Sequence, residues 1–92
     1  MIKSVMYHKV KDFDIWKDAF DDFSEFRQSK GELSYSVGRL HGEPNTAYVI
    51  NEWNSAGKLH DFVTSKELGE AMKSAGVLEP PQTLILEETD RG

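Results

Sequence analysis

Several polar side chains that could perform acid–base or anion chemistry fall in segments whose sequence is typical of β-strands. His8 is the only histidine in such a segment, and its ring can take or release a proton near neutral pH. Arg39 carries a fixed fork of donors that suits a phenolate or other anionic oxygen. The pattern predicts that His8 removes a proton from a ligand and that Arg39, with Tyr35 or Asn51, binds the resulting oxyanion.

Both charged candidates also have a purely structural interpretation. His8 could be a core or interface histidine that is satisfied by one hydrogen bond. Arg39 could pair with an acid on a neighbouring strand, such as Glu52 or Glu88. The residue types alone leave these alternatives open.

Aromatic side chains on strands form a second set of candidates. Tyr35 and Tyr48 could each offer a hydroxyl group to a buried ligand, and Trp53 could line the same pocket. On strands such rings also serve simply as packing. We therefore predict a substrate-binding set of Tyr35, Asn51, Trp53 and Tyr48, with packing as the competing interpretation.

The composition excludes several other kinds of site. The chain has no cysteine, so disulfides, thiolate catalysis and thiolate-held metals are absent. Its three histidines are too far apart in sequence for the spacing of metal ligands on a helix, and its seven glycines are scattered rather than gathered in a phosphate-binding loop. We expect no metal and no cofactor.

Length and charge restrict the class of protein. The 92 residues make one domain, residues 1–92, with 38% hydrophobic and 29% charged residues. The net charge of −5 has the wrong sign for a nucleic-acid-binding protein, and no apolar run is long enough for a membrane span or a signal peptide. We expect a cytoplasmic protein that binds neither nucleic acid nor membrane.

The elements that must position these residues follow from hydrophobic periodicity. Residues 14–30 predict an amphipathic helix with Trp16, Phe20 and Phe23 inward and Arg27 on the polar face, preceded by a cap at Asp12 or Asp14. Two short helices follow later in the chain, carrying Leu59, Phe62 and Val63, then Leu68, Ala71, Met72 and Ala75. Strands are predicted over residues 2–10, 33–40, 46–53 and 83–88, with a hairpin loop at 41–45.

This order predicts a ferredoxin-like βαββαβ fold of the α+β class, with a four-stranded antiparallel sheet and both helical segments on one side. The strand over residues 46–53 is apolar on both faces, whereas an uncovered antiparallel sheet is normally polar on its wet side. A second copy of the chain is the simplest cover for such a face. We expect a homodimer in which two sheets pack into an α/β barrel.

Five segments, spread over nearly the whole chain, resemble the antibiotic biosynthesis monooxygenase-like family. They are residues 8–17 (HKVKDFDIWK), 20–21, 52–53, 65–72 (SKELGEAM) and 76–77. The resemblance implies a dimeric α/β barrel and, for the cofactor-independent branch, a pocket lined by Asn, Trp, Tyr and Arg, for which this chain offers Asn51, Trp53, Tyr35 and Arg39. The places that carry function in the haem-degrading branch hold His8, Phe62 and Met72 here, which departs from that branch.

Our leading hypothesis is therefore a cofactor-independent monooxygenase-like protein. Its pocket, enclosed between the two apolar sheets of the dimer, would bind a small aromatic or apolar molecule. The alternative is a dimeric ligand-binding or structural module without catalysis, which would apply if bulky side chains fill the space between the sheets.

Overall fold

The computed structural model describes residues 1–92 and contains four strands and four helices. In chain order these are β1 (Ile2–Lys9), α1 (Phe13–Asp22), α2 (Ser24–Ser29), β2 (Glu32–Leu40), β3 (Glu43–Trp53), α3 (Ala56–Val63), α4 (Lys66–Ser74) and β4 (Gln82–Glu87).

The four strands form one sheet in the order β2-β3-β1-β4, and every neighbouring pair is antiparallel. This arrangement confirms the ferredoxin-like α+β prediction. None of the helices is long and apolar enough to cross a membrane.

The two faces of the sheet differ in what covers them. On one face, Met6 and Val49 lie opposite each other on β1 and β3 and belong to buried clusters that also contain Trp16 of α1 and Phe62 of α3. We call this the helix face. On the other, which we call the open face, no element of the chain packs against the apolar side chains of the central and edge strands. They are Val5, Tyr7, Tyr48, Ile50, Leu84 and Leu86.

The helix predicted over residues 14–30 is interrupted at Phe23, which separates α1 from α2. Phe23 has φ −90° and ψ 4°, and its backbone N–H is shared between the carbonyl oxygens of Ala19 and Phe20. Of the two predicted caps, Asp12 is confirmed, because its Oδ1 accepts a hydrogen bond from the backbone N–H of Ile15 at 3.1 Å. The helix begins at Phe13, one residue before the predicted start. The interruption shortens α1 without changing the side of the sheet on which it lies.

The connection between β2 and β3 is tighter than the predicted loop over residues 41–45. Leu40 pairs with Glu43, so the turn consists of His41 and Gly42 alone. Gly42 has a φ of 81°, which glycine adopts at little cost. Pro44 and Asn45 belong to β3, where the prediction had extended the loop.

Candidate functional site

A cavity lies between the helix face of the sheet and the helices that cover it. Its volume is about 70 Å³, and its empty space including the solvent at its mouth is about 560 Å³. Eleven of its fourteen lining residues are hydrophobic. These eleven are Met6, Trp16, Ala19, Phe20, Phe23, Val49, Phe62, Leu68, Ala71, Met72 and Ala75, and the other three are His8, Arg27 and Asn51.

This cavity is not the pocket that the sequence predicted. The cavity lies within one chain, on the helix face, and the predicted pocket between the apolar sheets of two chains stays a prediction. Strand alternation places bulky side chains on both faces of the sheet, since Met6 and Trp53 lie on the helix face whereas Tyr7 and Tyr48 lie on the open face. Of these four, only Tyr7 and Tyr48 are on the face that would meet a second sheet.

His8 lies near the end of β1, one of the two central strands, opposite Ala47 of β3. The ring is 7% exposed and meets the Trp16 ring edge-on, with the centroids 5.7 Å apart. Its Nδ1 is buried without a hydrogen-bond partner. Burial lowers the pKa of His8 below 6.5, and the negative charge of Glu79 opposes that shift only in part. His8 is therefore a neutral imidazole at pH 7.

Arg27 supplies the only charge in the cavity wall. Its side chain is 3% exposed, and its Nε donates to Glu32 Oε2 at 2.9 Å. One terminal nitrogen donates to the backbone oxygen of Phe20, while the guanidinium lies 3.6 Å from the centroid of the Phe20 ring. The other terminal nitrogen, Nη2, is buried and has no partner. Arg27 therefore keeps an unused donor in a buried position.

Asn51 connects this ion pair to the strands. Its Nδ2 donates to Glu32 Oε2 at 2.6 Å, and its Oδ1 accepts from Ser4 Oγ at 3.2 Å. Trp53 Nε1 in turn donates to Ser4 Oγ at 2.8 Å. The chain of hydrogen bonds from Trp53 to Arg27 satisfies the buried polar groups behind the cavity and fixes the orientation of the Asn51 amide.

The structure brings some of the predicted residues together and separates others. His8 and Asn51 line the cavity, and Trp53 is connected to Asn51 by two hydrogen bonds through Ser4. Tyr35 is 48% exposed and packs edge-on against Phe20, outside the lining set.

Arg39 and Tyr48 also lie outside the cavity. Arg39 lies over the ring of Phe13 and pairs with Asp14 at 3.4 Å. The expected partners Glu52 and Glu88 are wrong, because Glu52 is on the opposite face of the sheet and Glu88 binds Lys3 and Arg91 instead.

Tyr48 lies on the open face, where its ring covers Gly38. A Cβ placed on Gly38 would come within 2.8 Å of the Tyr48 ring. The ring thus packs against the backbone of β2, away from the cavity.

Sequence reasoning missed Arg27 and Glu32. We placed Arg27 on the polar face of the first helical segment, but the structure buries it. Its spacing carried the signal, since Arg27 follows Phe20 by seven residues and Phe23 by four, which puts it on the same helical face as both. The residue type outweighed the spacing, because an arginine is normally expected to be exposed to solvent.

Comparison with known proteins places this fold in a defined group. The chain is similar to an antibiotic biosynthesis monooxygenase structure with a TM-score of 0.74 and 15% identity, over 98% of this chain and 100% of the other. It is also similar to SnoaB, a cofactor-independent oxygenase from Streptomyces nogalater, with a TM-score of 0.79 and 11% identity over 98% and 94% of the two chains. A conserved protein from Methanosarcina mazei is similar with a TM-score of 0.74 and 18% identity, over 96% of this chain and 92% of the other.

These likenesses establish a shared fold. No protein-family model and no curated protein sequence matches the chain. The protein therefore has the fold of the antibiotic biosynthesis monooxygenases, and the predicted resemblance is confirmed at that level.

The first prediction concerns the buried ion pair. Glu32→Ala leaves the Arg27 guanidinium buried without a counter-charge, and we expect it to lower the free energy of unfolding by about 3 to 5 kcal/mol. Urea denaturation followed by circular dichroism measures this loss. Asp21→Ala, which breaks an exposed pair with Lys17 at 2.7 Å, is the matched control and should cost about 0.5 kcal/mol or less. Equal effects in both variants would contradict the importance of burial.

The second prediction concerns the titration of His8. The folded protein disfavours the protonated ring. The contribution of neutral His8 to the free energy of unfolding is therefore fully present above the unfolded pKa of about 6.5 and is lost as the pH falls below it. Unfolding free energies at about pH 7 and about pH 5.5 should therefore differ more in the wild type than in His8→Gln. His60→Gln, at an exposed histidine, should keep the wild-type slope. A His8→Gln variant that also keeps this slope would show that His8 is not the group responsible.

Proposed function

We propose that the protein binds a small aromatic molecule with a phenolic or carbonyl oxygen in the helix-face cavity and oxidises it with dioxygen, without a cofactor. One observation carries this proposal. Two nitrogens, His8 Nδ1 and Arg27 Nη2, are buried without partners on residues that line a mainly apolar cavity. Buried polar groups are normally hydrogen-bonded, so a ligand that supplies the missing partners would be bound tightly and in one orientation.

The side chains divide the chemistry between them. His8 is neutral at pH 7 because of its burial and is thus able to accept a proton from an acidic C–H or O–H group. Arg27 takes the role that the sequence assigned to Arg39, donating from Nη2 to the oxygen on which negative charge develops. Asn51, held by Glu32 and Ser4, supports that oxygen from the strand side.

The reaction is balanced by the substrate and dioxygen alone. A carbanion formed from a CH₂ group next to a phenolic ring adds to dioxygen, and the peroxide takes back one proton. Loss of water from the hydroperoxide then leaves a carbonyl group. The substrate gives up four electrons and two hydrogens, one oxygen atom enters it, and the other leaves as water.

The size of the cavity requires its wall to move. Its volume of about 70 Å³ is below the roughly 150 Å³ of an engineered cavity that admits benzene. The α4 helix, which contributes Leu68, Ala71 and Met72 to the wall, has no fully buried residue. Methionine side chains adapt readily to different shapes, and displacement of α4 would open the cavity further at low cost.

The same small volume favours the second candidate function, a binding module without catalysis. In that case the cavity binds a ligand and does not oxidise it. Turnover separates the two functions, since both predict binding and only the first predicts consumption of dioxygen.

The third prediction tests catalysis with 1,8-dihydroxyanthrone, a phenol that has an acidic CH₂ group. We expect oxygen uptake together with the appearance of quinone absorbance, and His8→Gln should lower the rate by about 100-fold or more because a general base contributes 10² to 10⁴. The control His60→Gln should keep full activity. Binding of the anthrone without oxygen uptake would reject the oxygenase and leave the binding module.

We also propose a homodimer formed through the open face. Tyr7, Leu84 and Leu86 are 40%, 56% and 42% exposed there, and Val5 and Ile50 continue the same apolar surface. Exposed apolar patches that span several strands are uncommon in monomers. A chain of this size also gains stability from added buried area.

The fourth prediction uses two neighbours on β4 that point to opposite faces. Leu84 and Ile85 are 56% and 55% exposed, but only Leu84 lies on the open face, opposite Val5. We expect Leu84→Glu to run as a monomer of about half the wild-type mass in light scattering, because it places a charge in the interface. Ile85→Glu should remain a dimer. A wild-type monomer at micromolar concentration would contradict the proposed assembly.

A further inference from the structure

The charge of the cavity wall depends on a residue behind it. Arg27 is the only charged residue that lines the cavity, and Glu32, with its side chain 3% exposed, pairs with it at 2.9 Å. Within the ion pair the two charges cancel. The third polar group on this site, Asn51, is uncharged and donates to the same Glu32 oxygen.

The surroundings of His8 add no positive charge. The ring packs against Trp16, and the one charge that acts on it noticeably is the negative charge of Glu79. An anion entering the cavity would lose its hydration and meet a wall whose net charge is zero. An uncharged oxygen acceptor would pay a far smaller desolvation cost and still fill the vacant hydrogen bond of Arg27 Nη2.

We infer that Glu32 is a specificity-determining residue, which makes the cavity select an uncharged ligand with a carbonyl or phenolic oxygen over a carboxylate of the same shape. The inference rests on the proposed function for the location of the ligand, and it adds the charge class of that ligand. It also assigns Glu32 a role beyond stability, since the carboxylate cancels a charge that would otherwise attract anions.

Benzamide and benzoate test this inference directly, because they share one ring and differ at the carboxyl position only by NH₂ against O⁻. Titration of the ¹⁵N-labelled protein, followed at the indole N–H of Trp16 in the cavity wall, gives both dissociation constants. We expect the wild type to bind benzamide at least about tenfold more tightly than benzoate, because the anion loses its hydration when it enters the cavity.

Glu32→Gln keeps the shape of the side chain and an oxygen acceptor for Arg27 but removes the negative charge. We expect the preference for benzamide to fall at least tenfold or to reverse in this variant, because no carboxylate then cancels the charge of Arg27. Glu25→Gln makes the same substitution at an exposed position on α2 and should leave the preference unchanged.

The outcomes separate this inference from the function on which it rests. Binding of both ligands with equal affinity, or tighter binding of benzoate, by the wild type would overturn the charge selection and leave the cavity as a binding site. Binding of neither ligand would overturn both proposals. An unchanged preference in a folded Glu32→Gln would remove the role of Glu32. If that variant does not fold, the wild-type comparison still decides whether the cavity selects an uncharged ligand.

Discussion

The buried ion pair between Arg27 and Glu32 is the constraint on which the site depends. Removing two charges from water is costly, and the cost is offset only when the geometry is good and the remaining hydrogen bonds are made. Here the pair joins α2 to β2, and Asn51 and Ser4 extend the connection to β3 and β1. A single polar network thus holds one helix and three strands in register at the back of the cavity.

That network also explains why the cavity is neither fully apolar nor fully satisfied. Glu32 accepts from Arg27 and Asn51 through one oxygen, and the fork of Arg27 reaches Glu32 and the Phe20 carbonyl. In the geometry that makes these hydrogen bonds, Arg27 Nη2 has no hydrogen-bond partner. Such a group is tolerated in a folded protein only where something compensates for it, and this is the physical basis for assigning the cavity to a ligand.

Most of the fold could be predicted from sequence because it depends on local alternation. The two faces of β1 and β3 follow from the side-chain period of two, and the N-cap at Asp12 follows from residue type. The site is harder to predict from sequence. It depends on residues that are distant in sequence and on residues, such as Arg27, that are expected at the surface. His8 is conspicuous as the only histidine in a strand segment, and Asn51 is indicated by the family resemblance; both line the cavity. Arg27 was not predicted, because its burial is explained only by Glu32.

The alternation of β1 has a consequence for how this chain can change. Tyr7 and His8 are adjacent, yet one belongs to the open face and the other to the cavity. A single inserted or deleted residue between Ser4 and Tyr7 would exchange the two faces beyond that point, moving the imidazole to the exterior and a tyrosine ring into the space beside Trp16. Substitutions can therefore retune the cavity and the open face independently, whereas a change of length in this strand alters both at once.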